Sequence, residues 1–156
     1  MSGTPRIQVV PLEQIPLETP AWRETKQPQI VLVVDDERVI ADTISIILSK
    51  NGYAVETAYD AVSALDLASV VPPHLLLSDV MMGPGMDGTQ LAIEMTEAYP
   101  DCKVILFSGH AATQDLLENA REAGYEFTVL TKPLHPADLL AQIDECFSGA
   151  MTAALA

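Results

Sequence analysis

Short apolar runs alternate with helical stripes along the chain from Ile30 to Phe147. Val31-Leu32-Val33-Val34 is apolar without a break and runs into Asp35-Asp36. His74-Leu75-Leu76-Leu77-Ser78 runs into Asp79, Val104-Ile105-Leu106-Phe107 into Ser108, and the stretch from Phe127 to Leu130 into Thr131-Lys132-Pro133. Runs of this length predict strands buried on both faces, over 30–34, 54–58, 75–78, 103–107 and 127–130. The segments between them carry a helical period. Val39, Ile40, Ile44, Ile47 and Leu48 form one stripe, which ends near Asn51-Gly52. Asp60 is placed to cap a second helix with Ala61, Leu65 and Ala68 inward. A third helix starts near Gly88, turns Leu91, Ala92, Met95 and Ala98 inward, and stops before Pro100. A fourth covers 113–123 and ends at Gly124, and a fifth covers 136–147 with Leu139, Leu140, Ile143 and Phe147 on one face.

Five repeats of strand then helix predict a parallel sheet covered on both sides, with right-handed crossovers: an α/β, doubly wound fold. Residues 1–28 break the pattern. Pro5, Pro11, Pro16, Pro20 and Pro28 discourage regular structure there. The stretch reads as an extended arm carrying Trp22, with Ile7, Val9, Val10, Leu12, Ile15 and Leu17 available to lie against the domain or a partner. The organisation expected is an arm over 1–28, one domain over 29–148 and a short alanine-rich tail over 149–156.

Composition narrows the function classes. Hydrophobic residues make up 49% of the 156, enough for a core. The net charge of −14, from 22 acids against 8 bases, opposes binding to nucleic acid. No apolar stretch is long enough for a bilayer span, and the N-terminus lacks signal-peptide regions, so no membrane association and a cytoplasmic location are expected. Cys102 and Cys146 have no metal or redox spacing.

In a parallel sheet the strand ends converge on one edge, where ligands bind. Asp35, Asp36, Asp79, Ser108 and Lys132 would meet there. Three carboxylates repel one another unless a cation sits among them. Mg²⁺ takes carboxylate, water and phosphate oxygens, and a lysine and a hydroxyl suit phosphoryl oxygens. The set points to Mg²⁺-dependent phosphoryl chemistry.

Asp35-Asp36 after the first strand, Asp79 after the third, Ser108 after the fourth and Lys132-Pro133 after the fifth resemble the response-regulator receiver domain of two-component signalling (CheY-like). The stretch Asp79-Val80-Met81-Met82-Gly83-Pro84-Gly85-Met86-Asp87-Gly88 is similar to that family's acceptor loop. The resemblance covers about residues 29 to 148. It implies a flavodoxin-like, five-stranded parallel sheet in the order 2-1-3-4-5 with five helices. It makes Asp79 the phosphoryl acceptor and one of the metal-site residues. Asp35, Asp36 and the Met81 carbonyl would hold Mg²⁺, while Ser108 and Lys132 bind phosphoryl oxygens. It also implies a cis Lys132–Pro133 bond. The partners implied are a histidine kinase or phosphotransfer protein and an unknown downstream protein, with the chain a monomer or weak dimer.

Two positions differ from the family's usual pattern. The acceptor loop is one residue longer, most simply at Gly83, and Val129 stands where an aromatic switch residue is usual. Phe127, two residues earlier, falls on the same strand face. Asp87 reads as a helix-start residue, and His74 and His135 as surface or capping residues. Met81 and Met82 read as packing beside the site. His110 is either a loop residue or, by resemblance, a tuner of dephosphorylation.

The function expected is a stand-alone receiver that is not an enzyme beyond its own Mg²⁺-dependent phosphorylation and dephosphorylation. The alternative is a binding module that keeps the fold without the phosphorylation switch. An aspartate-nucleophile phosphatase would need Asp-x-Asp at the first strand, whereas here the candidate nucleophile follows the third.

Overall fold

The computed structural model describes residues 27–109 and 113–155. Most of the proline-rich arm, Trp22 within it, and His110 lie outside the described residues. Five strands form one parallel sheet: β1 (Ile30–Val34), β2 (Ala54–Ala58), β3 (Leu75–Asp79), β4 (Lys103–Ser108) and β5 (Thr128–Thr131). Their order is β2-β1-β3-β4-β5, the doubly wound arrangement expected. Five helices alternate with them: α1 (Arg38–Lys50), α2 (Ala61–Val70), α3 (Gly88–Ala98), α4 (Thr113–Glu122) and α5 (Pro136–Leu155).

The period of two along each strand divides the core in half. Leu32, Val34, Leu76 and Leu106 point to one face and meet Ala61, Ala64 and Ala68 of α2 and Leu91, Ala92 and Met95 of α3. Leu116 and Leu117 of α4 pack on that side. Val31, Val33, Leu75, Leu77, Ile105 and Phe107 point to the other face and meet Ala41, Ile44 and Leu48 of α1 and Leu139 and Ile143 of α5. Each of the larger side chains contributes roughly 1.5–3 kcal/mol by leaving water. The central strands therefore have nowhere else to go, and their ends are held in register.

Local signals end the elements. Asp60 caps α2 by accepting from the Ser63 amide at 2.7 Å. Asp87 caps α3 by accepting from the Thr89 and Gln90 amides, and Gln90 returns the bond to the Asp87 amide. The His135 carbonyl accepts from the Leu139 amide in the first turn of α5. His74 lies at the far edge of the sheet, where its Nδ1 accepts from the Ile30 amide at 2.8 Å.

Some helix faces differ from the expectation. Val39 is 78% exposed, because the buried line of α1 runs through Ala41, Ile44 and Leu48. A stripe weighted by bulky side chains passes over the small Ala41 and is rotated toward solvent. In α2, Ala64 is fully buried where Leu65 was expected, with Leu65 packed at the margin. Ala98 is exposed in the last turn of α3. β5 begins one residue later than expected, at Thr128, and α5 runs on to Leu155. The residues beyond Phe147 include Ala150, Met151, Ala153 and Ala154, all good helix formers. No helix among the described residues is long and apolar enough to cross a membrane.

Candidate phosphoryl-acceptor site

Register assembles the site. Val34 pairs with Ser78, so Asp35 and Asp79 leave neighbouring strands at the same level. Asp79 pairs with Phe107, and Ser108 with Thr131. The Lys132 amide donates to the Ser108 carbonyl at 2.9 Å, which carries the ladder one residue past β5 and places the lysine over the acids. The Lys132–Pro133 peptide is cis, as expected.

Oxygens of Asp35, Asp36 and Asp79 lie within 4.8 Å of one another. Asp35 is fully buried, Asp79 is 4% exposed, and Asp36 faces solvent. Lys132 Nζ donates to Asp79 Oδ2 at 3.1 Å and stands 3.6 Å from Asp35 Oδ2. Asp35 Oδ1 accepts from the Glu37 amide at 2.9 Å. Asp35 Oδ2 is buried with no hydrogen-bond partner. A buried carboxylate oxygen in that condition is costly, and a divalent cation would relieve it. The donor set is all oxygen, which suits Mg²⁺. The residues present therefore fit that ion.

The electrostatics agree. Burial pushes the Asp35 carboxyl from its ordinary 3.8 up to about 6, against the Glu37 amide and with the help of the Asp79 charge. Burial also raises Asp79, opposed by the Lys132 ammonium. Burial works against the charge on Lys132, but Asp79 and Asp35 outweigh it and hold the ammonium above its ordinary value. The lysine is a fixed cation at neutral pH.

Ser108 is buried at the end of β4, beside Thr113 and at the side of the site away from Asp35. Met82 is buried, whereas Met81 is 42% exposed, so of the two only Met82 acts as packing. Val129 and Phe127 face α4 together. Val129 lines a cavity of about 240 Å³ with Ser108, Thr113 and Leu117, and Phe127 packs into the core that holds Leu116 and Leu117.

Three supporting features escape sequence reasoning. A Cβ on Gly88 would stand 2.0 Å from the Asp79 carbonyl oxygen and 2.8 Å from Val80 Cα. Only glycine lets α3 start against the backbone of Asp79, and its amide donates to the Val80 carbonyl at 2.8 Å. The Gly83 amide donates to Asp36 Oδ2 at 2.9 Å, so the residue read as an extra in the loop is tied to a carboxylate of the site. Thr113 is buried against Ser108 from five positions away. Asp-Gly at the start of α3 is a readable signal for Gly88, but nothing in the local pattern marks Thr113.

A sequence profile described as the response regulator receiver domain matches residues 31–144. The chain is 31% identical over 113 residues to the response regulator MprA of Mycobacterium avium, covering 72% of this chain and 48% of that protein. It thus spans about half the length of the curated relatives it matches. Among solved structures, it resembles a CheY-like receiver domain protein from Methanospirillum hungatei, with TM-score 0.68 and 30% identity over 76% of this chain and 93% of that one. It also resembles the chemotaxis response regulator CheY4 of Vibrio cholerae, with TM-score 0.65 and 29% identity over 77% of this chain and 99% of that one. With the profile spanning most of its length and an acidic strand-end site of the kind just described, the chain belongs to the response regulator receiver family.

Proposed function

We propose that Asp79 of this receiver takes a phosphoryl group from a histidine kinase or phosphotransfer protein, and that partner proteins read the change. One observation carries the reading: Asp79 is a buried strand-end carboxylate held at 3.1 Å by Lys132, beside an Asp35 oxygen that receives no hydrogen bond. An Asp79 oxygen attacks phosphorus as the P–N bond of a phosphohistidine breaks. The imidazole leaves with the bonding pair, and an acyl phosphate forms. Lys132 transfers its hydrogen bond from the carboxylate to a phosphoryl oxygen, and the Ser108 hydroxyl donates to another. Asp35, Asp36 and the Met81 carbonyl would hold Mg²⁺, which would supply positive charge against the repulsion between carboxylates and phosphoryl oxygens.

The donor's docking face has support on the same edge. Val39 and Val62, at the starts of α1 and α2, and Met81 are all exposed. Val39 shares a groove with Lys132, and Val62 shares a cavity with Asp36. Apolar side chains around buried charges suit a protein that delivers the phosphoryl group, more than a free small molecule.

Acetyl phosphate with Mg²⁺ is expected to add one phosphoryl mass to the protein and none to Asp79→Asn. A wild type that stays unmodified, or a variant modified equally, rejects the reading. Val129, in place of an aromatic ring and beside an open cavity, favours a second reading, a module whose binding ignores phosphorylation. It predicts a partner complex indifferent to both acetyl phosphate and Asp79→Asn.

A further inference from the structure

Two hydroxyls are buried side by side where β4 ends. Ser108 Oγ and Thr113 Oγ1 lie 2.5 Å apart, and Thr113 is 1% exposed. Ser108 belongs to the sheet, and Thr113 is the first residue of α4. One short bond therefore joins the phosphoryl side of the site to a helix that lines the open cavity of about 240 Å³. On the β5 side of that cavity stands Val129, which has neither a ring nor a hydroxyl to couple to Ser108.

We infer that Thr113 is a positioning residue: it orients the Ser108 hydroxyl toward the phosphoryl group and carries the movement of Ser108 into the first turn of α4. The inference rests on the proposed phosphorylation of Asp79. A hydroxyl has one proton and can accept as it donates. When Ser108 donates to a phosphoryl oxygen, Thr113 is placed to donate to the Ser108 oxygen in turn. A bond to a charged acceptor is about twice as strong as a neutral one, and it polarises the next bond in the chain. Ser108 cannot shift toward Asp79 and keep a 2.5 Å bond unless Thr113 follows. Thr113 cannot follow without drawing the start of α4 with it, and the cavity beside the pair gives that turn room. The route from site to surface then runs from β4 to α4 through two hydroxyls, with no ring on β5 required.

The test compares wild type, Thr113→Val and Thr113→Ser, as full chains with Mg²⁺ and beryllofluoride as the phosphoryl mimic. Valine keeps the shape and removes the hydroxyl, and serine restores it. In wild type and Thr113→Ser, beryllofluoride is expected to move the amide resonances of Asp79, Lys132 and α4. In Thr113→Val, Asp79 and Lys132 still respond, the α4 shifts disappear, and affinity for the mimic falls about 5-fold, as for one lost hydrogen bond. Serine rescue separates the hydroxyl's role from simple packing. Retention of the α4 shifts in Thr113→Val overturns the inference. If valine unfolds the domain, Ser108→Ala removes the other half of the pair, and α4 shifts that persist there overturn it equally. A wild type that responds nowhere to the mimic, and is not modified by acetyl phosphate, removes the underlying phosphorylation as well.

Discussion

On the β1–β3 side of the sheet edge, Asp35, Ser78, Asp79 and Val80 are all buried, and α3 starts so close to the Asp79 backbone that a single methyl group does not fit. On the β4–β5 side, Thr128, Val129 and Thr131 are exposed, and a cavity opens between β5 and α4. The two halves share one lysine. The Asp79 half is close-packed, which leaves its geometry little room to change. The other half has unfilled space beside an exposed edge strand, which leaves it room to shift. In the proposed reading, rigidity at the chemical end and slack at the other suit the conversion of a local bond into a surface change.

The largest expected effect breaks the rigid half. Gly88→Ala places a carbon on the Asp79 carbonyl, and the helix or the acceptor must shift. A loss on the order of 3 kcal/mol is expected, read as a lower thermal midpoint, together with loss of acetyl phosphate reactivity. A normal melt with normal reactivity would show that the contact is soft.

Next is the charge buried there. Asp35→Asn removes a desolvated carboxylate from the metal-free protein, which should gain about 1–2 kcal/mol at neutral pH. Its Mg²⁺ binding by calorimetry should be lost. A destabilised variant would mean that Lys132 already compensates the charge in full.

The pH dependence of the metal-free protein sharpens the same point. The Asp35 carboxyl is raised from 3.8 to about 6, so the folded state binds its proton more tightly than the unfolded state does. Its contribution to stability is therefore present below the unfolded value and is lost as pH rises through about 6. In chelator, the melting midpoint of wild type should fall relative to Asp35→Asn across that window. With Mg²⁺ the order should reverse, because the ion binds the deprotonated form. Parallel midpoints in chelator would contradict the raised value.

The smallest effect belongs to the loose half. Val129→Ala should change stability by less than about 0.5 kcal/mol, as for a surface site. A large loss would show that β5 is better anchored than its exposure implies.

Much of this organisation can be read along the chain. Continuous apolar strands place Asp35, Asp79, Ser108 and Lys132 at strand ends, and parallel pairing brings strand ends together. What cannot be read is contact between segments whose spacing carries no period. Thr113 reaches Ser108 from five positions away, and the collision that forbids a side chain at Gly88 exists only once α3 is packed on β3. The exposure of Val39 is a different failure. The small Ala41 sets the inward line of α1, and hydrophobic bulk is a poor guide when the sheet is close enough to need a methyl group.

The bond from the Gly83 amide to Asp36 has a further consequence. Asp36 is a single carboxylate with two oxygens, one already given to the acceptor loop. In the proposed reading the other serves the cation, so loop posture and cation affinity become linked quantities, each changing the other by the same factor. A partner that presses on the loop would adjust how tightly the ion is held without touching it. Loop length at this position is then, in the proposed reading, a means of tuning ion affinity.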